Sequence, residues 1–315
     1  MDKEVVVSVK SLTKKYGSYT ALDNVSFNIK RNTIFGLLGS NGAGKSTMLH
    51  ILIGLLRYSD GDVHILGETI DEYPRSLKRK LSIVPQKISL YENLSIIDNL
   101  FFFGKAYGLS TKEIDIRIDT LKNILNLGDM NKKVKLLSGG YQRRVSLAVA
   151  LIGDPEILIL DEALVGIDLE TKKIIINLLL RLKKTKTIII TTHSVSEAER
   201  LCDYVCFLHK GKKVLEGMTS DIIKEYSEKK GSEILLDMND AKEAYEVARI
   251  LKEKRIKVTI IDNKIKISSI YENLALVNIL NMIEKNTDNM KSVMNIEIIK
   301  PSLEDIMLDL MSPDK

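Results

Sequence analysis

The glycine-rich segment at residues 39–47, GSNGAGKST, constrains this chain more than any other part of the sequence. Its spacing matches a loop that binds the phosphates of ATP or GTP. The apolar run at residues 33–38 is short enough for a buried strand, and residues 47–56 carry apolar side chains at helical spacing. In this strand–loop–helix context, glycines let backbone N–H groups and the helix dipole converge on an anion. The segment therefore predicts an α/β fold that binds a nucleotide.

Two side chains in this loop carry specific chemistry. The Lys45 ammonium supplies a positive charge for the β- and γ-phosphates, and the Ser46 hydroxyl is placed to bind Mg²⁺. The other loop residues that we expect to contact the nucleotide are Gly39, Ser40, Asn41, Gly42, Ala43, Gly44 and Thr47.

The composition limits the class of protein. The 315 residues suffice for one large or two modest domains, and 47 basic residues against 42 acidic ones give a net charge of +5. The basic runs lack interleaved aromatic residues, so we expect a solvated surface and no nucleic-acid partner. No apolar stretch approaches the roughly 18 residues that a membrane span needs, and the N-terminus lacks a signal-peptide pattern. Cys202 and Cys206 are expected to pack as small apolar side chains, without a disulfide or a metal.

Hydrophobic patterning places these motifs on a mixed scaffold. Three strand-like runs predict an antiparallel β-layer: residues 5–9, 25–29 and 61–66. Apolar strands that alternate with helices predict a parallel-sheet core covered on both faces: residues 81–84, 157–160 and 187–190. Helical spacing at residues 89–150 indicates an inserted helical subdomain, and a hairpin is expected around residues 209–212.

The composition changes in the last third of the chain. A polar, glycine-bearing stretch at residues 226–232 reads as a linker, which would separate a first domain at 4–225 from a second at 233–315. The pattern of the second part predicts a small α+β domain with helices at 241–254, at 273–284 and from Ser302. None of its residues has an evident catalytic role.

A second motif, LSGGYQRR at residues 137–144, narrows the choice among nucleotide-binding proteins. Together with the phosphate-binding loop, it makes the chain resemble the nucleotide-binding subunit of ATP-binding-cassette (ABC) proteins over roughly residues 4–225. The resemblance implies the P-loop NTPase fold of an ABC cassette, with ATP and Mg²⁺ as ligands and ATP hydrolysis as the activity.

Further motifs follow in the order that this family has. The resemblance implies that Tyr16 stacks on the adenine, that Gln86 is the Q-loop glutamine that reaches Mg²⁺, and that His193 is the H-loop histidine near the γ-phosphate. Asp161 and Glu162 end the apolar run ILILDE, so that Asp161 would hold Mg²⁺ and Glu162 would act as base for the attacking water. The catalytic residues expected in this way are Glu162, His193, Gln86 and Lys45.

The same resemblance implies that the protein pairs. In ABC proteins the signature residues, here Ser138, Gly139 and Gly140, close on the ATP held by the other subunit, and Asp168 lies in the loop that works across that interface. Because one chain carries every motif, a homodimer would have two complete sites. This chain departs from the family's usual pattern at Tyr141, where Gln is more usual, and at Ala163–Leu164 after the Walker B glutamate.

The tail and residues 90–109 resemble the ATPases that serve daunorubicin-resistance-type exporters of drugs, antibiotics, lipids or sodium. The expected function is therefore that of an exporter ATPase at the cytoplasmic face of the membrane, driving separately encoded transmembrane permease subunits. The alternatives are a soluble ABC ATPase that acts on ribosomes or DNA and a cassette that only regulates. The phenylalanines at 101–103 could be core of the helical block or part of a groove for a membrane partner. One hypothesis for the tail is that it steadies the dimer.

Overall fold

The structure is a computed structural model that describes residues 4–70, 75–254, 256–269, 279–281 and 293–311. The chain forms two compact units, Met1–Met218 and Thr219–Lys315. Among the residues that the structure describes, no helix is both long enough and apolar enough to cross a bilayer.

The first unit contains ten strands and seven helices in its described residues. The strands are β1 (Val5–Tyr16), β2 (Tyr19–Lys30), β3 (Ile34–Leu38), β4 (Asp60–Ile65), β5 (Glu68–Thr69), β6 (Leu81–Val84), β7 (Ile157–Asp161), β8 (Thr187–Thr192), β9 (Tyr204–His209) and β10 (Lys212–Met218). The helices are α1 (Lys45–Leu52), α2 (Arg75–Lys80), α3 (Ile96–Ala106), α4 (Thr111–Ile124), α5 (Gly139–Ile152), α6 (Leu169–Leu182) and α7 (Val195–Leu201).

A six-stranded sheet in the order β10-β9-β3-β8-β7-β6 forms the centre of this unit. All its neighbouring strands are parallel except β10 and β9, which form the expected hairpin. Every residue of β3, β7 and β8 is buried, as the unbroken apolar runs predict for strands covered on both faces. The prediction of a parallel-sheet core is confirmed.

The expected antiparallel layer is also present, in the order β2-β1-β4-β5. Its inward side chains share one hydrophobic cluster with β3 and α1, and the rings of Phe27 and Phe35 stack with centroids 5.3 Å apart. This packing holds the end of β1, and thus Tyr16, on the same core as the phosphate-binding loop.

Helices α3, α4 and α5 pack on one another as the helical block. Two serines at helix starts explain where α3 and α4 begin. Ser95 accepts a hydrogen bond from the Asp98 backbone N–H at 3.1 Å, and Ser110 accepts one from Glu113 at 3.3 Å; both acidic side chains bond back to the capping residue. Such caps contribute about 1 kcal/mol each. The LSGGYQRR motif opens α5, and Ser138 caps it by accepting a hydrogen bond from the Tyr141 backbone N–H.

The second unit is an α+β arrangement whose described residues form three helices of nine residues or more, four strands and a short helical segment at 279–281. They are α8 (Thr219–Lys230), β11 (Ser232–Met238), α9 (Ala241–Glu253), β12 (Val258–Ile261), β13 (Lys264–Ser269), β14 (Val293–Ile299) and α10 (Leu303–Met311). The antiparallel sheet has the order β12-β13-β11-β14, and α9 buries its apolar face against β11, β12 and β13. Most of the helix expected at 273–284 lies outside the described residues; residues 279–281 are helical.

The boundary differs from the sequence-based expectation. The chain divides after Met218, and the residues expected to form a linker at 226–232 complete α8 and begin β11. The physical reason is that Lys and Glu, which make this stretch polar, are also strong helix formers. A polar surface helix and a linker therefore have similar compositions.

Both cysteines are buried and free, as expected. Burial raises the pKa of the Cys202 thiol to about 12 and also raises that of Cys206, so neither forms the reactive thiolate near neutral pH.

We predict that a thiol reagent such as Ellman's reagent labels neither cysteine of the native protein at mildly alkaline pH, but labels both in guanidinium chloride. Fast labelling of one thiol in the folded protein would contradict this packing.

Candidate active site

The loop between β3 and α1 has the backbone that an anion cradle needs. Gly39 and Gly44 have φ angles of +152° and +104°, which side chains other than hydrogen rarely allow. A Cβ atom at Gly39 would lie 2.4 Å from the Leu208 carbonyl oxygen, and one at Gly44 would lie 2.7 Å from Leu22 Cδ2. The fold of the loop therefore requires both glycines, because the neighbouring atoms, which include the Ala21 carbonyl oxygen 2.8 Å from a Cβ at Gly44, leave no space for a side chain.

Lys45 stabilises this loop from its C-terminal end. Its Nζ donates hydrogen bonds to the Gly39 carbonyl at 2.8 Å and the Ser40 carbonyl at 3.1 Å, although the side chain is only 5% exposed. The carboxylate of Glu162 lies 3.6 Å from the same ammonium. A positive charge is thus held at the helix N-terminus, next to the exposed residues Ser40, Asn41, Gly42 and Ser46.

Asp161 and Glu162 lie at the carboxyl end of β7, beside the end of β8. Thr191, the neighbour of Asp161 in β8, donates its hydroxyl proton to Asp161 Oδ1 at 2.6 Å. The Glu162 backbone N–H donates to both Thr191 Oγ1 at 3.0 Å and the Thr191 carbonyl at 3.2 Å. Glu162 has a φ of +45°, a conformation that costs non-glycine residues on the order of 1–3 kcal/mol. The two bonds to Thr191 hold the glutamate in this strained conformation.

Three of the predicted catalytic residues surround the Glu162 carboxylate. Gln86 Nε2 donates to Glu162 Oε2 at 2.9 Å, and His193 Nδ1 lies 3.8 Å from Glu162 Oε1, the oxygen that faces Lys45. Gln86 follows β6 and His193 follows β8, so parallel strands bring all of them to one edge of the sheet. The glutamate is partly shielded, with 12% of its side chain exposed, while His193 is 48% exposed.

The residues predicted to hold Mg²⁺ offer the oxygen atoms that this ion prefers. Asp161 uses Oδ1 for the bond to Thr191, and Gln86 uses its amide nitrogen for the bond to Glu162, which leaves Asp161 Oδ2 and the Gln86 amide oxygen for a cation. The described residues contain no cluster of three or more His, Cys, Asp or Glu side chains suited to a metal. The arrangement therefore fits a Mg²⁺ ion bound by one carboxylate together with substrate phosphates, which is usual for this ion.

The signature residues lie at the start of α5. Ser138 caps α5 by accepting a hydrogen bond from the Tyr141 N–H at 3.3 Å, and Ser138 and Gly139 are exposed. Gly140 lies against Asp168, since an added Cβ would be 2.4 Å from Asp168 Oδ2. The Ser138 hydroxyl and carbonyl accept hydrogen bonds from the Tyr141 and Gln142 N–H groups of its own helix.

Asp168 and Tyr16 also have defined places. The Asp168 carboxylate caps α6 by accepting a hydrogen bond from the Thr171 N–H at 2.8 Å, and this bond holds the pKa of Asp168 below its usual range. Tyr16 ends β1 with 47% of its surface exposed, and the Lys14 ammonium lies 4.8 Å from the ring centroid. The ring is therefore accessible to a planar ligand, and a cation lies nearby.

Two residues that support the site were missed by the sequence analysis. Thr191 holds both carboxylate residues, as described above. Arg143, buried in α5, donates to the Pro85 and Gln86 carbonyls, each at 2.6 Å, and so ties the helix of the signature motif to the loop of Gln86. Burial lowers the pKa of Arg143, but a guanidinium stays protonated. The sequence feature that could have identified Thr191 and Arg143 is a polar or charged side chain within an otherwise apolar strand or helix face.

Comparison with known proteins agrees with this geometry. Residues 22–165 match the family model described as "ABC transporter". The chain is 38% identical over 220 residues to a Nod factor export ATP-binding protein I of Cupriavidus pinatubonensis, which covers 69% of this chain and 68% of that protein. It is 32% identical over 310 residues to the linearmycin resistance ATP-binding protein LnrL of Bacillus subtilis, covering 97% and 98%.

A solved structure extends the comparison to the fold. A dimeric ATP-binding cassette in a post-hydrolysis state, bound to ADP and Pi, superimposes with a TM-score of 0.62 at 29% identity, covering 68% of this chain and 98% of that one. Since the second relative matches along nearly its whole length and the cassette motifs occupy one edge of the sheet, the assignment does not depend on a single motif. The chain belongs to the ABC transporter family, as an ATP-binding subunit with the fold and activity of an ATPase.

Proposed function

We propose that this ATPase is the motor subunit of an exporter: two copies close around two ATP molecules and drive separately encoded transmembrane permease subunits from the cytoplasmic face of the membrane. The observation that carries the proposal is the set of groups around Glu162, which consists of Lys45, Gln86 and His193. Two relatives support the role in export: the linearmycin resistance ATP-binding protein, which matches along nearly the whole chain, and the Nod factor export ATP-binding protein, which matches over 220 residues.

In the proposed binding mode, the nucleotide lies between Tyr16 and the phosphate-binding loop. Tyr16 stacks on the base, which contributes about 1–3 kcal/mol and tolerates different bases. The loop N–H groups and Lys45 bind the phosphates, so the ammonium exchanges loop carbonyls for phosphate oxygens. Ser46, Asp161 and Gln86 would hold Mg²⁺, which supplies charge neutralisation for the triphosphate.

In the proposed hydrolysis step, Glu162 accepts the proton of the attacking water. Its backbone is held by two hydrogen bonds from its N–H group to Thr191, and its carboxylate is held by Gln86 and Lys45, so the group is already positioned when water arrives. His193, 3.8 Å away, is the exposed group next to it and would contact the γ-phosphate and the water. Asp161 is engaged by Thr191 and the metal, so it does not compete for the proton.

The exposure of Ser138 and Gly139 at the start of α5 supports a dimer. The N-terminus of α5, where Ser138 and Gly139 are exposed, carries the positive end of the helix dipole and so favours an anion. In the proposed dimer it closes on the γ-phosphate bound by the partner, and Asp168 reaches the same interface. The dimeric, ADP-bound structure of a related cassette supports this arrangement.

The permease partner would contact the helical block. Phe102 is 48% exposed, and its ring lies 4.7 Å from that of Tyr91, so one of the three phenylalanines is on the surface rather than in the core. An exposed aromatic pair next to the loop of Gln86 is suited to a partner helix.

The alternative function is that of a soluble ABC ATPase that acts on ribosomes or DNA, and the third experiment below separates this function from export.

The first prediction concerns the proposed base. Glu162→Gln keeps the size of the side chain and removes its basicity, so we expect ATP turnover to fall by roughly 10²–10⁴-fold while ATP still binds. Steady-state phosphate release and equilibrium nucleotide binding measure the two effects. Glu253→Gln, at an exposed position on α9, is the control and should match the wild type. Wild-type turnover in Glu162→Gln would remove Glu162 from the mechanism.

The second prediction concerns the dimer. Ser138→Arg places a large cation where the partner's nucleotide would dock, so we expect hydrolysis to be abolished while monomeric ATP binding is nearly unchanged. Ser110→Arg is a matched control, because Ser110 also caps a helix of the same block by bonding a backbone N–H. The control loses a cap worth about 1 kcal/mol but should retain turnover. Retained hydrolysis in Ser138→Arg would exclude the dimer-sandwich mechanism.

The third prediction concerns the partner. Tagged Glu162→Gln protein, held with ATP, should recover a polytopic membrane protein from detergent-solubilised native membranes, and removal of ATP should reduce the recovery. Mass spectrometry identifies the partner, and Ser138→Arg, which cannot form the ATP dimer, is the control. Recovery of ribosomal or DNA-binding proteins without a membrane protein would favour the soluble alternative.

A further inference from the structure

An ion pair that the proposed chemistry does not use joins helices α6 and α7 of the first unit. The ammonium of Lys172, near the start of α6, donates a hydrogen bond to the carboxylate of Glu197, in the first turn of α7. Helix α6 begins directly after Asp168, and α7 begins two residues after His193. The pair therefore connects the two helix starts that carry Asp168 and His193.

The start of α6 is held in place by its own cap and by the signature helix. The Asp168 carboxylate accepts a hydrogen bond from the Thr171 N–H at 2.8 Å, and the Asp168 carbonyl accepts one from the Lys172 N–H at 2.9 Å. Gly140 packs against both side chains, since an added Cβ would lie 2.4 Å from Asp168 Oδ2 and 2.8 Å from Thr171 Oγ1. Lys172 thus extends from a well-anchored helix start.

The start of α7 has less support of its own. The helix has seven residues, and a helix this short is marginal without tertiary contacts. Among the residues that the structure describes, Ser194 at the N-cap makes no capping hydrogen bond with its side chain. Ala198 and Leu201 bury the apolar side of the helix, and Glu197 anchors its polar side. Because His193 comes just before α7, the contacts that hold this helix start also decide where the imidazole lies.

The two partners of the ion pair differ in burial. The Lys172 side chain is 28% exposed and that of Glu197 is 13% exposed. The second carboxylate oxygen of Glu197, Oε2, is buried without a hydrogen-bond partner among the residues that the structure describes. A shielded carboxylate that loses its counter-charge is strongly disfavoured. Glu197 therefore depends on Lys172 more than Lys172, whose ammonium can turn toward water, depends on Glu197.

We propose that Lys172 and Glu197 are positioning residues for the ATPase reaction. Their ion pair holds α7 against α6 and so keeps the His193 imidazole beside the Glu162 carboxylate, at the 3.8 Å seen in the structure. Both residues act through His193 and do not touch the nucleotide. The effect on turnover rests on the proposed role of His193 in hydrolysis, whereas the effect on the position of the imidazole does not.

Nuclear magnetic resonance of isotope-labelled histidine tests the position directly. The chain has four histidines, and His193→Ala assigns the His193 ring signal. We expect this signal to shift in Lys172→Met, which keeps the apolar stem and removes the charge, and to shift less in Glu197→Gln. Lys183→Met is the matched control, because Lys183 pairs with Asp203 at 2.8 Å and joins the other end of α6 to the residues after α7. Its His193 signal should match the wild type.

Steady-state phosphate release tests the consequence for the reaction. In Lys172→Met we expect kcat to fall by up to about 100-fold, the loss that a small displacement of a catalytic group can cause. Equilibrium binding of ATP should stay unchanged, because the phosphate-binding loop and Tyr16 are untouched. Exchanging the charges, with Lys172→Glu and Glu197→Lys in one protein, should restore part of the turnover, and Lys183→Met should retain all of it.

The outcomes separate this proposal from the proposed function. A wild-type His193 signal in folded Lys172→Met, or a shifted signal with wild-type turnover while His193→Ala loses turnover, would overturn the positioning role. Wild-type turnover in His193→Ala would instead remove His193 from the hydrolysis step, and a shifted signal would still support the placement of the imidazole by the ion pair. Circular dichroism melting verifies folding, and Glu197→Gln and the exchanged pair provide the same test if Lys172→Met unfolds.

Discussion

The parallel pairing of β3 with β8, and of β8 with β7 and β7 with β6, is the constraint on which the rest of the cassette depends. Parallel strands end at the same edge, so the residues that follow them are brought together whatever their separation in sequence. The phosphate-binding loop, Glu162, His193 and Gln86 each follow a strand of this sheet.

Glu162 contacts residues that follow or belong to several of these strands. It contacts Lys45, Gln86 and His193 through its carboxylate and Thr191 through its backbone. Its left-handed conformation is maintained by the neighbouring strand, which is how a fold can store strain at a reactive group. Arg143 extends the same network to the signature helix, because its two hydrogen bonds link α5 to the loop of Gln86.

Helix N-termini are used twice in the first unit, and in two different ways. The N-terminus of α1 is supported by Lys45 and faces the loop of its own chain, whereas that of α5 is exposed and capped by Ser138. The proposed ATP sandwich brings these two anion-binding ends together from different copies.

The fold class and most of the candidate site could be predicted from sequence, because both depend on local patterns. Apolar runs at strand length, glycines and Lys45 in the loop, and DE after an apolar strand report directly on backbone geometry and chemistry. The roles of Thr191 and Arg143 and the strain at Glu162 could not be predicted, since each arises from contacts between residues far apart in the chain. The linker at 226–232 was mispredicted, because polar helix formers look the same in a linker and on a surface helix. Sequence thus specified which chemical groups are present, whereas tertiary structure established which of them meet, because strand order and register exist only in the folded chain.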